Sequence, residues 1–335
     1  MYRLYGGLGS PYSLKMRAVL RYRRIPHIWL AGNGPDVMGR LFSQLKAPVI
    51  PVLEFPDGTV MNDSTPLIRE LERRLPGERT VVPEDEAQAF LAWLLEDMAD
   101  EWGTKAMFHY RWFRERDQLM LGRWLAFDRL AGAGRQAIEQ AGEAFRERQV
   151  GRMALVGCTP ANAPLIEATA KKVFDLLDPM ATDEGYLFGS RPSVADFGWY
   201  GQLSQLASDP TPHEVMAERA PFLMRWLANL DDASGVDGRW RDPPADPSAA
   251  VIGLLKMAGE IYLPFLLANA AAAQAGEETF TVELWGQPYS QGTFRYQVKC
   301  LAELRAAYAG LSAAARKSLD PLLEDAGLRA ALAGG

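Results

Sequence analysis

Two stretches decide the fold: residues 10–20, SPYSLKMRAVL, and residues 49–68, VIPVLEFPDGTVMNDSTPLI. In the first, Pro11 stands where a helix begins. Leu14, Ala18 and Tyr22 follow four apart with Val19 beside them, so a helix opens just after Ser10. In the second, residues 48–55 read as a strand that carries a proline. Pro56-Asp57-Gly58 is a turn, and Thr59-Val60-Met61 returns as the second arm of a hairpin. Asp63-Ser64 then opens another helix, with apolar face Leu67, Ile68, Leu71 and Leu75, and Pro76-Gly77 stops it.

Working outward, residues 2–6 are a short strand closed by Gly6-Gly7 and Gly9. Pro26 ends the first helix, and His27-Ile28-Trp29-Leu30 reads as a second strand, followed by a loop from Ala31 to about Gly34. The first 80 residues therefore read β-α-β-loop-β-β-α. From Pro83 the pattern is helical, in segments 84–131, 133–149, 162–180, 193–208 and 214–231. An α/β unit followed by an all-α unit predicts two domains joined near 76–85. Asp237 to Pro247, rich in Pro and Asp, reads as a second linker. Beyond it the pattern predicts a helix near 249–272, a strand at 279–285 and helices near 290–309 and 311–333. The expected units are residues 1–80, 84–236 and 245–335.

The chain has 335 residues, 48% hydrophobic and 23% charged, which is enough apolar surface for a large core. A net charge of −6 without a basic stripe argues against nucleic acid. Arg21-Tyr22-Arg23-Arg24, the densest basic cluster, falls at a helix end where cations suit the dipole. Two cysteines, Cys158 and Cys300, and three histidines offer no paired metal spacing, so no metal is expected. The N-terminus lacks the charged-then-apolar pattern of a signal peptide. The most apolar stretch, Ala249 to Ala273, is interrupted by Lys256, Glu260 and Pro264, short of the ~20 residues a bilayer needs. Together these predict a reduced, cytoplasmic protein that is not in a membrane.

Three features of the first unit belong together. Ser10 sits at a helix N-terminus, where unpaired amides and the positive dipole end favour an anion and a hydroxyl can donate to a thiolate. Pro51 follows Ile50, and a cis bond there turns the Ile50 backbone outward to pair with a peptide-like ligand. Ser64 at a second helix start suits a carboxylate, and Asp63 suits an amine. The set fits a small zwitterionic tripeptide with a thiol. Taken singly, Ser10 reads also as an N-cap, Pro51 as an edge-strand marker and Asp63-Ser64 as capping chemistry.

The two opening stretches resemble the N-terminal domain of the glutathione S-transferases. The resemblance implies a thioredoxin-like domain that binds glutathione, followed by an all-α domain that binds a hydrophobic electrophile. It implies Ser10 as the sulfur contact. Tyr12, Ser13, Ile50, Pro51, Asp63 and Ser64 are implied as further glutathione contacts. The Ser-Pro-Tyr start is similar to that of zeta-like and bacterial β-etherase-like members; the omega-like members carry Cys-Pro-[Tyr/Phe] there. With serine at position 10 no mixed disulfide with glutathione forms at that residue. Gly189-Ser190-Arg191-Pro192-Ser193-Val194-Ala195-Asp196 is similar to the family's N-capping box. The electrophile pocket is expected from Tyr12 together with Met107, His109, Tyr110 and Trp112; Trp102 and Phe113 are further candidates. The same aromatic run reads equally as helix–helix packing. The resemblance also implies a homodimer and a detoxifying transferase, with a glutathione-binding protein without turnover, or a β-etherase or isomerase, as alternatives. It covers residues 1–235. The remaining segment is expected to pack on the helical domain and to cover the pocket mouth.

Overall fold

The computed structural model describes residues 1–32, 34–242 and 246–334. Its first unit is built on alternation along one strand. In β1 (Tyr2–Gly6), Leu4 faces one side of the sheet and Tyr5 the other, and each anchors its own cluster. β1 pairs in parallel with β2 (His27–Ala31) and antiparallel with β3 (Val52–Glu54), which pairs with β4 (Val60–Asn62). The sheet order is β2-β1-β3-β4. On the Leu4 side lie α1 (Pro11–Tyr22) and α3 (Ser64–Arg74), burying Leu14, Ala18, Val19, Leu67, Ile68 and Leu71. On the Tyr5 side lies α2 (Pro35–Phe42), whose Leu41 is fully buried against Tyr5 and Val52.

Sequence patterning predicts no helix at 35–42, because barely two turns with Gly39 inside carry too little periodicity. Strand β3 begins at Val52, so Pro51 stands ahead of the ladder and removes no bond from it. The Ile50–Pro51 peptide is cis.

The helical unit begins with α4 (Glu86–Met98), which runs through one π turn (Ala99–Gly103) into α5 (Thr104–Phe113). Arg114 is extended and separates α5 from α6 (Glu115–Leu130), so the segment expected at 84–131 is three helices. α7 (Arg135–Val150), α8 (Ala163–Asp183) and α9 (Val194–Ser208) follow. Pro210 and Pro221 open α10 (Pro210–Arg219) and α11 (Pro221–Leu230), and Pro221 splits the segment expected at 214–231. Helix α9 is the centre of this unit and carries a reciprocal cap. Ser193 Oγ accepts from the Asp196 amide, and the Asp196 carboxylate accepts from the Ser193 amide at 2.8 Å. Its Gly201 packs on the first turn of α1; a β-carbon there would lie 2.8 Å from the Pro11 carbonyl oxygen.

The remaining chain forms α12 (Ala249–Met257), a π turn (Ala258–Tyr262), α13 (Leu263–Ala275), the hairpin β5 (Thr279–Leu284) and β6 (Gln287–Gly292), then α14 (Arg295–Gly310), α15 (Ala313–Asp325) and α16 (Arg329–Ala333). Strand β6 takes the first residues of the helix expected near 290–309, which begins at Arg295. It contains Pro288, and the two-residue turn Trp285-Gly286, with φ of 49° and 70°, closes the hairpin. Ala249–Ala275 is one continuous helical run of 27 residues, long and apolar enough by composition to cross a membrane; Lys256, Glu260 and Pro264 do not break it. Most of it is buried in the protein, with α12 against α8 and α13 against α14 and β5. Leu254, Leu255, Ile261, Tyr262 and Phe265 are fully buried, in one core with Phe197 and Leu177. Helices α14 and α15 pack on α4. The segment expected as a second linker is docked where it begins: Arg241 N donates to the Phe188 carbonyl at 2.8 Å, and Trp240 bridges to Gly189. Residues 243–245 of that segment lie outside the described residues.

Candidate functional site

Tyr12 at the start of α1, Ile50 and Pro51 ahead of β3, and Asp63 and Ser64 at the start of α3 line one cleft of about 1550 Å³. The first unit forms one wall, and α4 with its π turn, α6, α7 and α14 form the others.

At α1 the helix is capped from within: Ser10 Oγ accepts the Ser13 amide at 3.3 Å. A hydroxyl that accepts there keeps its own proton to donate. Ser10 is half-buried and stands beside the cleft wall, not on it. The turn ahead of it is held by the helical unit. Arg111 Nη1 donates to the Gly9 carbonyl at 2.7 Å, and Gln205 Nε2 donates to the Leu8 carbonyl at 3.1 Å. Arg111 is itself buried, paired with Asp209 at 2.7 and 3.1 Å and with Gln205 Oε1 at 2.7 Å. Ser13 is fully buried and off the cleft. Gly6 lies directly over it, where a β-carbon would approach Ser13 Oγ to 2.6 Å. Tyr12 directs its hydroxyl away from the first unit, donating to the Asp100 carbonyl at 3.1 Å, and burial holds its pKa well above the ordinary value.

At α3 the chemistry is different. Asp63 is the N-cap residue, with φ of 73°, and its side chain makes no cap bond. Ser64 is only 2% exposed, and its Oγ has no hydrogen-bond partner among the described residues. An uncapped helix start with a buried, unengaged hydroxyl on the cleft wall leaves amide and hydroxyl donors open toward the cleft, the chemistry an anion requires. The Asp63 carboxylate instead accepts from the Tyr296 hydroxyl at 3.1 Å.

Beneath this end sits a buried ionic group. Lys15, fully buried on α1, donates to Glu96 at 2.5 Å and to Asp100 at 2.6 Å, and Thr65 Oγ1 donates to Glu96 at 2.5 Å. Burial alone would depress the Lys15 ammonium pKa, but Asp100 and Glu96 outweigh it and the net shift is upward. Asp97 and Glu101 also line the cleft. Burial pushes Asp97 up to about 7 against the opposing Tyr262 hydroxyl, which donates at 2.6 Å. Burial, with Asp97 and Asp100 adding to it, pushes Glu101 up to about 8.

Met107, His109, Tyr110 and Trp112 do not line the cleft; all four are buried within α5. Helices α6, α8 and α9 pack around α5 and occupy its aromatic faces. His109 Nε2 lies 3.0 Å from Glu167 Oε1 and its ring lies 4.5 Å from that of Phe113, so it is a packing residue whose pKa burial lowers. Trp102 is buried against Phe265 and Tyr289. Of the expected pocket residues only Tyr12 is on the cleft. Its apolar wall is Met38 and Phe42 of α2, Leu125 and Ala126 of α6, and Phe145 of α7, with Lys46, Arg148 and Arg152 also on the lining. Sequence reasoning missed these, because in sequence they are ordinary amphipathic helix residues. Tyr296 and Lys299, also on the lining, were missed as well.

Comparison with known proteins gives two family matches. Residues 4–79 match the family described as glutathione S-transferase, N-terminal domain, and residues 67–229 match its C-terminal domain. No curated protein matches. Similar solved structures include a glutathione S-transferase of Rhodospirillum rubrum F11, 18% identical, covering 76% of this chain and 92% of that one with a TM-score of 0.43. A glutathione S-transferase of Methylobacterium radiotolerans, solved with glutathione sulfonate, is 19% identical over 69% of this chain and 90% of that one, at 0.43. The β-etherase LigF of Sphingobium sp. strain SYK-6 is 17% identical over 70% of this chain and 97% of that one, at 0.43.

Proposed function

The chain belongs to the glutathione S-transferase family, and from that premise we propose that it is a glutathione transferase. It binds glutathione in the cleft as the thiolate and presents it to an electrophilic carbon of a hydrophobic substrate. The observation that carries this reading is Ser64, a buried hydroxyl without a partner at the uncapped start of α3 and on the same cleft as Ile50 and Tyr12.

In this reading Ser64 and the first-turn amides of α3 take the γ-glutamyl carboxylate, and Asp63 takes the ammonium. The Ile50 backbone, held next to Pro51, pairs with the middle of the peptide. The sulfur lies at the start of α1, where Ser10 donates its free proton. Ser13, sealed behind Gly6, shapes that turn from beneath, and Tyr12 walls the cleft.

Magnitudes support the chemistry. A free thiol has a pKa of ~8.5. A hydrogen bond to a charged acceptor contributes ~1.5–3 kcal/mol, and a helix N-terminus ~0.3–1 kcal/mol. At ~1.36 kcal/mol per pH unit these bring the bound thiol to between ~5.6 and ~7.2, from about two-fifths to nearly all thiolate at pH 7. The thiolate then forms an S–C bond while the carbon's bond to its leaving group breaks. That group departs with the electron pair, and the thiol proton goes to solvent. The substrate's apolar body rests on Phe42, Leu125 and Phe145.

Ser10 beside the wall, not on it, favours a second reading: a glutathione-binding protein of the same fold without turnover. By family we further propose a cytoplasmic homodimer. The deciding experiment is a calorimetric glutathione titration of the wild type and Ser10→Ala, with thiolate absorbance read near pH 7 and turnover read on a panel of aryl halides and aryl ethers. The transferase reading expects binding, a thiolate signal lost in Ser10→Ala, and turnover of at least one electrophile. Binding without turnover assigns the second reading, and no binding removes both.

A further inference from the structure

Helix α14 lies in sequence beyond both family matches, yet it reaches the start of α3. The Tyr296 hydroxyl donates to Asp63 Oδ2 at 3.1 Å, across 233 positions of sequence. Lys299, one turn further along α14, lies on the same cleft lining as Tyr296, Asp63 and Ser64. Its ammonium is 5.5 Å from the Tyr296 ring centre and 3.4 Å from Glu303, and its side chain is 56% exposed. Glu303 also lies 3.7 Å from Arg69 of α3, so charged side chains of the two helices meet beside the cleft.

We infer that Tyr296 and Lys299 of the C-terminal extension complete the subsite for the α-amino carboxylate of a γ-glutamyl ligand, so that the extension sets which thiols the protein accepts. This deepens the proposed glutathione reading and rests on it.

The physical case has two halves. A carboxylate at Ser64 meets the fixed partial charge of a helix start, which is worth a fraction of a full charge. Lys299 adds a whole charge on a flexible stem, held loosely by a half-exposed Glu303 and free to turn to a better acceptor. The ammonium half falls to Asp63. Burial raises the Asp63 pKa, and the Tyr296 hydroxyl and the Lys15 and Lys299 charges oppose that rise. Tyr296 thus anchors one oxygen of the carboxylate and helps keep it ionised, leaving the second oxygen for a cation. A ligand end carrying both an ammonium and a carboxylate on one carbon satisfies both halves at once. A peptide lacking that end satisfies neither.

The test uses the full-length protein and two probes, glutathione and cysteinylglycine, which carries the same thiol without the γ-glutamyl residue. Lys299→Met and Tyr296→Phe are expected to raise the glutathione Kd about tenfold, the scale of one charge-assisted contact. They should leave the cysteinylglycine Kd and the melting temperature unchanged, and Lys299→Arg should retain most of the wild-type affinity. Wild-type glutathione affinity in both variants overturns the inference while the glutathione reading stands. Equal weakening of both probes with a lowered melting temperature also overturns it, since α14 is then a packing element only. A wild type that binds no glutathione fails the proposed function itself, and the inference with it.

Discussion

Ser64 separates what stability asks of a residue from what binding asks. A buried hydroxyl without a partner is a cost to the fold, about 1–3 kcal/mol by the usual measure of an unsatisfied polar group. Nothing inside the protein recovers it, because its Oγ has no partner among the described residues and Asp63 leaves the helix start uncapped. Removing the hydroxyl should therefore help the fold and harm the site. Ser64→Ala is expected to unfold at equal or higher urea than the wild type and to bind glutathione roughly tenfold more weakly, as loss of one hydrogen bond to a charged group implies. Loss of stability together with unchanged affinity would place Ser64 in the packing and not in the site. Much of this was legible in the sequence. Asp63-Ser64 after a hairpin announces a helix start, and Ile50-Pro51 announces an unusual strand entry. The Tyr296 contact was not, because its two ends lie 233 positions apart and no local pattern links them.

At the scale of one element, α4 and the π turn after it place Asp97, Asp100 and Glu101 on one end of the cleft with Glu96 off its lining, and Lys15 pairs with Glu96 and Asp100. Burial raises Asp97 to about 7 and Glu101 to about 8, and it lifts Asp100 as well in spite of the Lys15 ammonium. Between their unfolded pKa values, near 4, and these folded values, the native state holds protons that the unfolded chain has released. Stability must then fall as pH rises through that window and level off above it. We expect the melting temperature to drop from pH 5 to pH 8, and Glu101→Gln, which keeps the shape and removes the titration, to show a shallower drop. Parallel wild-type and variant curves would mean that Glu101 is ionised throughout. The element scale is also where periodicity misled. In α5 the aromatic run is amphipathic in a way that suits either a pocket wall or a core. The neighbours α6, α8 and α9 decide for the core, burying Met107, His109, Tyr110 and Trp112. The cleft wall comes instead from Leu125 and Phe145, spaced like any packed helix, and α2 was too short to register at all.

For the whole molecule the question is whether residues beyond the family match are an attachment or a part of the core. Val251, Leu254, Leu255, Ile261, Tyr262 and Phe265 are all fully buried, with α12 packed on α8 and the π turn after it packed on α4. Tyr262 bonds Asp97, and Asn162 Nδ2 donates to the Ser290 carbonyl at 2.7 Å, so polar pairs cross the same boundary. At about 1.5–3 kcal/mol per buried large apolar side chain, six of them amount to roughly 9–18 kcal/mol as an upper figure. A domain of this kind is stable by only about 5–15 kcal/mol in total. A chain cut after residue 240 would therefore present an apolar face of α4 and α8 to water with no margin to spare, and it would lose Tyr296 and Lys299 from the cleft. The truncated protein should aggregate or melt without a cooperative transition, whereas the full chain should unfold in a single calorimetric transition that includes the extension. A soluble truncated chain that melts cooperatively and binds glutathione as tightly as the full chain would refute both claims, because the extension would then be neither core nor wall. Two separate transitions in the full chain would refute only the first, leaving a docked third unit that still closes the cleft.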